Sequence, residues 1–296
     1  MALIRFNFES EYLGNNHEIG IILPDKPRSI TPKDFYGSGK KYKVLYLLHG
    51  TFGDYSDWIR KSNIELYACE QDLIVVMPSA LNSDYVNWPD FGTGYDMGAY
   101  LTEELMPLIQ NWFPASDKRE DNFIAGLSMG GGGTLKYLLA HPDKFAGAAI
   151  LSSSARNYDA LKPYADMKSY EFRNAVVNGK ITISDGRGGT FAPRQVNSVC
   201  KYPTVGDFLS SIENSWDRLL EADIASLPNI YAACGTKDFG YQNFLKFKDM
   251  LQGLGAKAKF EVIEGFAHEW RFWDLTIQHA IEYFGIKKDV NAGNPF

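Results

Sequence analysis

Gly126-Leu127-Ser128-Met129-Gly130 fits the pattern Gly-x-Ser-x-Gly. A serine hydroxyl is a weak nucleophile and attacks a carbonyl only when it is held exposed and within reach of a base. A sharp strand-to-helix turn does this. Its crowding leaves no room for side chains two residues before and two residues after the serine. The surroundings agree, because an apolar strand pattern over Asn122–Leu127 precedes the serine and a helical pattern follows to about Ala140. That helix opens with Gly130-Gly131-Gly132-Gly133. Each glycine costs a helix about 1 kcal/mol against alanine, so the run implies close packing of helix on sheet. The same glycines make no phosphate cradle. Gly-Lys-Ser/Thr is absent, and Gly130-x-Gly132 and Gly131-x-Gly133 lead to Leu135 and Lys136 where a dinucleotide loop needs a third glycine.

Such a serine needs a base, and the chain has five histidines: His17, His49, His141, His268 and His279. His268 lies in Gly265-Phe266-Ala267-His268-Glu269-Trp270, just after a strand pattern at 259–263, and is the candidate base. His279 falls inside the last helical pattern, His141 precedes Pro142 at a helix end, and His17 sits in the first hairpin. The base in turn needs an acid to orient it. Asp238 follows the strand pattern Ile230–Cys234 in Gly235-Thr236-Lys237-Asp238 and is the candidate. Asp217 and Asp223 belong to a helical region elsewhere, and Glu264 and Glu269 are too near His268 along the chain to brace its ring easily. A tetrahedral intermediate also needs N–H donors for its oxyanion. The amide of Met129, next to the nucleophile, is one, and the amide of Thr51 in His49-Gly50-Thr51-Phe52-Gly53 is the other candidate. His49 reads as a brace for that loop. Trp58, Trp88, Trp216 and Trp270 lie on segments that could line a substrate pocket, and with Asn82, Asn87 and Asp90 they could stack on a sugar or phenolic ring.

These residues must be carried by strand ends. Two alternating segments, near 2–9 and 17–23, predict an antiparallel hairpin at a sheet edge. Continuous apolar runs at Val44–Leu48, Leu73–Met77, Asn122–Leu127, Ala146–Leu151 and Ile230–Cys234 read as strands buried on both faces, joined by 259–263. Helices are predicted over 57–69, 96–112, 129–140, 241–254 and 270–284. This alternation predicts an α/β chain with a mostly parallel central sheet and helices on both faces, its ligand outside the carboxyl ends of the strands. Residues 152–228 break the alternation and read as an insertion capping the sheet. Within it, Val205, Phe208, Leu209, Ile212, Trp216, Leu219 and Leu220 predict one amphipathic helix, while Asp185–Gly189 and the tail from Lys287 read as loose. The expected organisation is a single domain over 1–296 carrying that cap.

The 296 residues are 45% hydrophobic, enough for a large core, and the net charge of −6 provides no basic stripe for nucleic acid. No apolar run of membrane-spanning length occurs, and the charged, alternating N-terminus does not resemble a signal peptide. Cys69, Cys200 and Cys234 have no metal or redox spacing and fit a reducing compartment, so the expected location is the cytoplasm. The chemistry requires neither a metal nor an organic cofactor. Its expected partner is a small-molecule ester, with no nucleic acid and no membrane, and assembly into a homo-oligomer is left open.

Together these residues resemble the esterase D family of α/β-hydrolases, which includes S-formylglutathione hydrolases, tributyrin esterases, feruloyl and acetylxylan esterases and mycolyltransferases. The likeness is carried by Tyr46-Leu47-Leu48-His49-Gly50 with Trp58, Glu104-Leu105-Met106-Pro107 with Phe113-Pro114, the turn at Gly126–Gly131, Gly235–Asp238, and Gly265–His268 with Trp270 and Trp273. It spans roughly residues 40–285 and is nearest the tributyrin esterase (carboxylesterase) branch. The resemblance implies an α/β-hydrolase fold and a triad of Ser128, Asp238 and His268, in the Ser…Asp…His order of that fold. It also implies oxyanion donors at Thr51 and Met129, and serine carboxylesterase activity on short acyl esters. The alternative is a carbohydrate esterase that removes feruloyl or acetyl groups. The insertion is longer than a minimal esterase of this branch needs, and Thr51-Phe52-Gly53-Asp54 departs from the loop usual in S-formylglutathione hydrolases.

Overall fold

Apolar residues that alternate along an extended chain point to opposite sides of a sheet, and here both sides are covered. The computed structural model describes residues 2–184, 190–191 and 193–288. Its strands are β1 (Ala2–Ser10), β2 (Asn15–Leu23), β3 (Lys43–Leu48), β4 (Leu73–Pro78), β5 (Asn87–Trp88), β6 (Tyr95–Asp96), β7 (Asn122–Leu127), β8 (Gly147–Leu151), β9 (Asn229–Gly235) and β10 (Ala258–Ile263). β5 and β6 form a small ribbon, and the other strands make an eight-stranded sheet ordered β1-β2-β4-β3-β7-β8-β9-β10. β1 and β2 are the antiparallel edge, and the strands from β4 to β10 run parallel. In β3, Val44, Tyr46 and Leu48 join one core cluster while Leu45 and Leu47 join the other, which is why this strand reads as a continuous apolar run.

The chain leaves β3 for β4 on one side and returns to β7 on the other. The loops after β3 and β7 therefore diverge around a crevice at the carboxyl edge, the place where such sheets bind ligands. Two predicted helices are interrupted. The first splits into Asp57–Lys61 and Ile64–Glu70, because Ser62 is extended and the Asn63 amides donate to Asp274 at 2.8 and 3.2 Å. The second runs as Met97–Ala99, a π-helical turn Tyr100–Leu105, and Met106–Trp112. Pro107 brings no N–H to the ladder and crowds the preceding turn, and the wider turn lies immediately before it.

Between β8 and β9 the inserted chain folds around its own cluster, which includes Tyr158, Leu161, Phe172, Phe191, Val199, Val205 and Phe208. The predicted single helix at 205–220 is two short ones, Val205–Leu209 and Ser215–Glu221. Thr204 and Asp207 form a capping box that starts the first. Val205 and Phe208 face the insertion's own cluster, whereas Leu219 packs into the main core. A single straight helix could not serve both. Asp185–Gly189 and the tail beyond Lys288 lie outside the described residues, and Lys288 pairs with Glu70 at 2.6 Å. Among the described residues, no helix is long and apolar enough to cross a membrane.

Candidate active site

Ser128 ends β7 and caps the helix Met129–Ala140 with φ 54 and ψ −115, a backbone conformation that costs a non-glycine residue energy. Its N–H donates to Leu151 O at 2.9 Å, and its carbonyl accepts from Gly132 N–H at 3.1 Å. The turn closes only because its flanks lack side chains. A Cβ on Gly126 would lie 2.3 Å from Gly130 O, and one on Gly130 would lie 2.6 Å from both Leu48 O and His49 O.

Two loops at the same sheet edge bring up the partners. The Ser128 hydroxyl lies 2.9 Å from His268 Nε2, and His268 Nδ1 lies 2.7 Å from Asp238 Oδ2. With the Nδ1 proton donated to the carboxylate, Nε2 is left as the acceptor for the serine hydroxyl. Asp238 Oδ1 accepts from Gly240 N–H at 2.8 Å, and the Ser152 hydroxyl also bonds this carboxylate. Burial pushes the Asp238 pKa up. The hydrogen bonds from His268, Gly240 and Ser152, with the imidazole's charge, outweigh that and hold it below its ordinary 3.8. Ser152 is itself fixed by Trp273, whose indole N–H donates to its Oγ at 3.0 Å. The imidazole is clasped by Phe239 and Trp273, with ring centroids 4.5 and 5.0 Å from its own.

Thr51 and Met129 line, with Ser128, a cleft of about 100 Å³, which Ser152–Ser154, Arg156, Phe239, Gly240, Asn243 and His268 complete. Among the described residues, neither the Thr51 nor the Met129 amide donates to a protein acceptor. The Thr51 loop is braced from beneath. His49 Nδ1–H donates to Gly50 O at 2.6 Å, and its Nε2 accepts from Ala80 N–H at 2.8 Å. Burial lowers the His49 pKa, which suits this neutral tautomer. Tyr85 O–H donates to His49 O at 3.0 Å, and Phe52 N–H donates to Asn82 Oδ1 at 2.8 Å.

A larger cleft of about 320 Å³ adjoins the first through Ser154, Arg156 and Asn243, and Trp216 forms part of its wall. The other three tryptophans expected to line the pocket, Trp58, Trp88 and Trp270, are outside the linings of both clefts, which corrects their expected place. Trp58 is 1% exposed, donates to Leu48 O at 3.1 Å and packs edge-on against Trp270, so both belong to the core beneath the sheet edge. Trp270 also lies under the Lys61 ammonium, 5.1 Å from the ring centroid. Trp88 donates to Ser83 O at 2.8 Å and is covered by Lys201 at 4.2 Å. Of the other histidines, His279 pairs with Glu261 at 3.0 Å and His141 caps the C-terminus of the helix Met129–Ala140. The cysteines are unpaired, and no group of three or more His, Cys, Asp or Glu that could hold a metal ion occurs among the described residues.

A buried charge network lies behind the clefts. Arg156 grips Asp84 with two nitrogens, at 3.1 and 3.3 Å, and Lys136, on the helix that follows Ser128, donates to Asp84 O at 2.6 Å. Lys201 and Glu213 pair at 2.6 Å, both nearly inaccessible. Burial pushes the Lys136 pKa down from 10.5 to about 8. Between those values the unfolded chain binds a proton that the native chain has lost, so this residue makes stability rise with pH there. Relative to Lys136→Met, wild-type unfolding free energy is therefore expected to gain up to about 1.4 kcal/mol per pH unit across that window, measured by urea titration.

Ser152, Phe239, Arg156 and Asn243 are site residues that the sequence reading missed. Ser152 and Phe239 carried a usable signal, since Ser152 directly follows a predicted strand and Phe239 directly follows Asp238. Arg156 and Asn243 carried none, because tertiary packing alone brings them to the cleft.

The chain is similar to known proteins. A family profile described as "Putative esterase" matches residues 10–197. An acetyl esterase of Caldicellulosiruptor saccharolyticus is 32% identical over 296 residues, covering 98% of this chain and 100% of the relative. Among solved structures, fluorophosphonate-binding serine hydrolase F of Staphylococcus aureus superposes with a TM-score of 0.72 at 28% identity, covering 97% of this chain and 99% of that one. An S-formylglutathione hydrolase of the same organism gives 0.71 at 28% identity, with the same coverage.

Proposed function

The chain belongs to the esterase family and is a serine carboxylic ester hydrolase, and from that premise we propose that Ser128, His268 and Asp238 perform the hydrolysis, on short acyl groups. Ser128 attacks the ester carbonyl while His268 Nε2 takes its proton. Asp238 holds the imidazole and stabilises its cationic form. The amides of Thr51 and Met129 receive the developing oxyanion. His268 then protonates the leaving alcohol, and water repeats the sequence to free the acid. The observation that carries this reading is the continuous relay Ser128–His268–Asp238, with spans of 2.9 and 2.7 Å, at a cleft lined by Thr51 and Met129, whose amides have no protein acceptor among the described residues. The cleft of about 100 Å³ suits an acetyl to butyryl group, and the full-length likeness to an acetyl esterase supports that choice. Residues 152–228 act as a cap within a single domain, tied to the site where Arg156 N–H donates to Ser215 Oγ at 2.9 Å and Arg156 O accepts from Trp216 N–H at 3.2 Å. We place the enzyme in the cytoplasm, acting on small-molecule esters without a nucleic-acid partner, as three unpaired cysteines and the net charge of −6 support.

A second reading, a carbohydrate esterase, is favoured by the larger cleft, where Trp216 lies beside Asn157, Gln195 and Asn243. Steady-state kinetics on p-nitrophenyl esters from acetate to octanoate, with methyl ferulate beside them, test both. Specificity constants are expected to fall beyond butyrate. Octanoate outrunning acetate would contradict the short-acyl assignment, and methyl ferulate outrunning butyrate would favour the second reading.

A further inference from the structure

The larger cleft has an electrostatic character that the net charge of −6 would not suggest. Its described ionisable linings are Arg156, Lys246 and Asp84, one positive charge in excess. Arg156 keeps 28% of its side chain exposed and borders both clefts. Two of its nitrogens are spent on Asp84, and its other donors remain for the Tyr158 hydroxyl and for the cleft. Lys246 stands on the helix Tyr241–Gly253, exposed and with no ion-pair partner among the described residues. Lys136 lies behind Asp84 and adds a further cation, while Lys201 and Glu213 cancel. Burying cations is costly, and a low-dielectric wall strengthens the field that they project into a neighbouring cleft.

We propose that the larger cleft binds the alcohol portion of the ester and that this portion carries a carboxylate, held between Arg156 and Lys246. The inference rests on the reading of Ser128 as the nucleophile of a short-acyl esterase, which puts the acyl group in the smaller cleft and leaves the larger one for the alcohol. A guanidinium N–H not used by Asp84 can donate to a carboxylate oxygen, and Lys246 supplies a point charge on a flexible stem. Trp216 and Asn243 supply a stacking face and an amide beside that charge. Arg156 touches both clefts, so an anion bound there is linked directly to the pocket in which the acyl group reacts.

The test compares two aryl acetates of matched size, 3-acetoxybenzoate and 3-acetoxybenzamide, each corrected for its rate of hydroxide hydrolysis, with p-nitrophenyl acetate as a common control. The carboxylate ester is expected to have the higher kcat/KM by about tenfold, the scale of one hydrogen bond to a charged group. That ratio should narrow as salt is raised, narrow in Lys246→Gln, and fall below one in Lys246→Glu. Lys246 is exposed, so these substitutions spare the core. Equal rates for the two esters in an enzyme that hydrolyses p-nitrophenyl acetate would overturn the subsite and leave the Ser128 assignment standing. So would a ratio that Lys246→Glu leaves unchanged. Failure to hydrolyse p-nitrophenyl acetate would remove the underlying reading, and the subsite with it.

Discussion

Ser128→Ala is expected to lower kcat for p-nitrophenyl acetate by about 10⁶ while the protein stays folded. The loss is that large because Ser128 Oγ is the hydroxyl that His268 Nε2 reaches, at 2.9 Å. Removing Ser128 leaves His268 without the nucleophile that it activates, so the contribution of the base is lost with it. What survives is binding and oxyanion stabilisation by the Thr51 and Met129 amides, commonly about 10³ to 10⁴ over water. The substitution keeps Cβ, and the turn is closed by backbone bonds from Ser128 N–H and from Gly132 N–H, which alanine preserves. The melting temperature should therefore move by no more than a few degrees, since surface-like changes of this kind usually fall within about 0.5 kcal/mol. A variant that keeps a tenth of wild-type kcat would show that Ser128 is not the nucleophile.

Asp238→Asn is expected to cost about 10⁴ in kcat with little change in KM. The carboxylate now accepts the Nδ1 proton of His268 at 2.7 Å, which leaves Nε2 free to accept from Ser128. An asparagine amide can instead donate to Nδ1. The proton then moves to Nε2, and the imidazole faces the serine as a donor that cannot remove its proton. The substitution also has a stability signature. The ionised form of Asp238 is favoured by the fold, since its pKa lies below 3.8. It therefore stabilises the native state above that pH, and the contribution is lost as the pH falls through the native value. The gap in unfolding free energy between wild type and Asp238→Asn should shrink over that acidic window. An unchanged kcat would contradict the role given to Asp238.

The parts of the site that were legible in the sequence are those fixed by the backbone. Gly126 and Gly130 announce the turn because contacts of 2.3 and 2.6 Å exclude any Cβ. Asp238 and His268 could be found because they follow apolar strand patterns, and a parallel sheet sends all such loops to one edge. The sheet itself was legible for the same reason, down to the alternating hairpin at its edge. What escaped was decided by contacts distant in sequence. Nothing near Trp58 or Trp270 reveals that the two rings pack edge-on against each other rather than against a ligand. The break between Leu209 and Ser215 reflects two clusters pulling one apolar stripe in different directions, and periodicity cannot report a change of partner. Arg156 was hidden because its role depends on Asp84, 72 residues earlier in the chain.

The most direct test of the central claim is to incubate the wild-type protein with a fluorophosphonate and locate the adduct by mass spectrometry of a proteolytic digest. Only an activated hydroxyl reacts at a useful rate. The geometry calls for a single adduct, on Ser128, absent from Ser128→Ala and formed far more slowly in His268→Ala. An adduct on another serine, or wild-type ester hydrolysis that persists with Ser128 unlabelled, would contradict it.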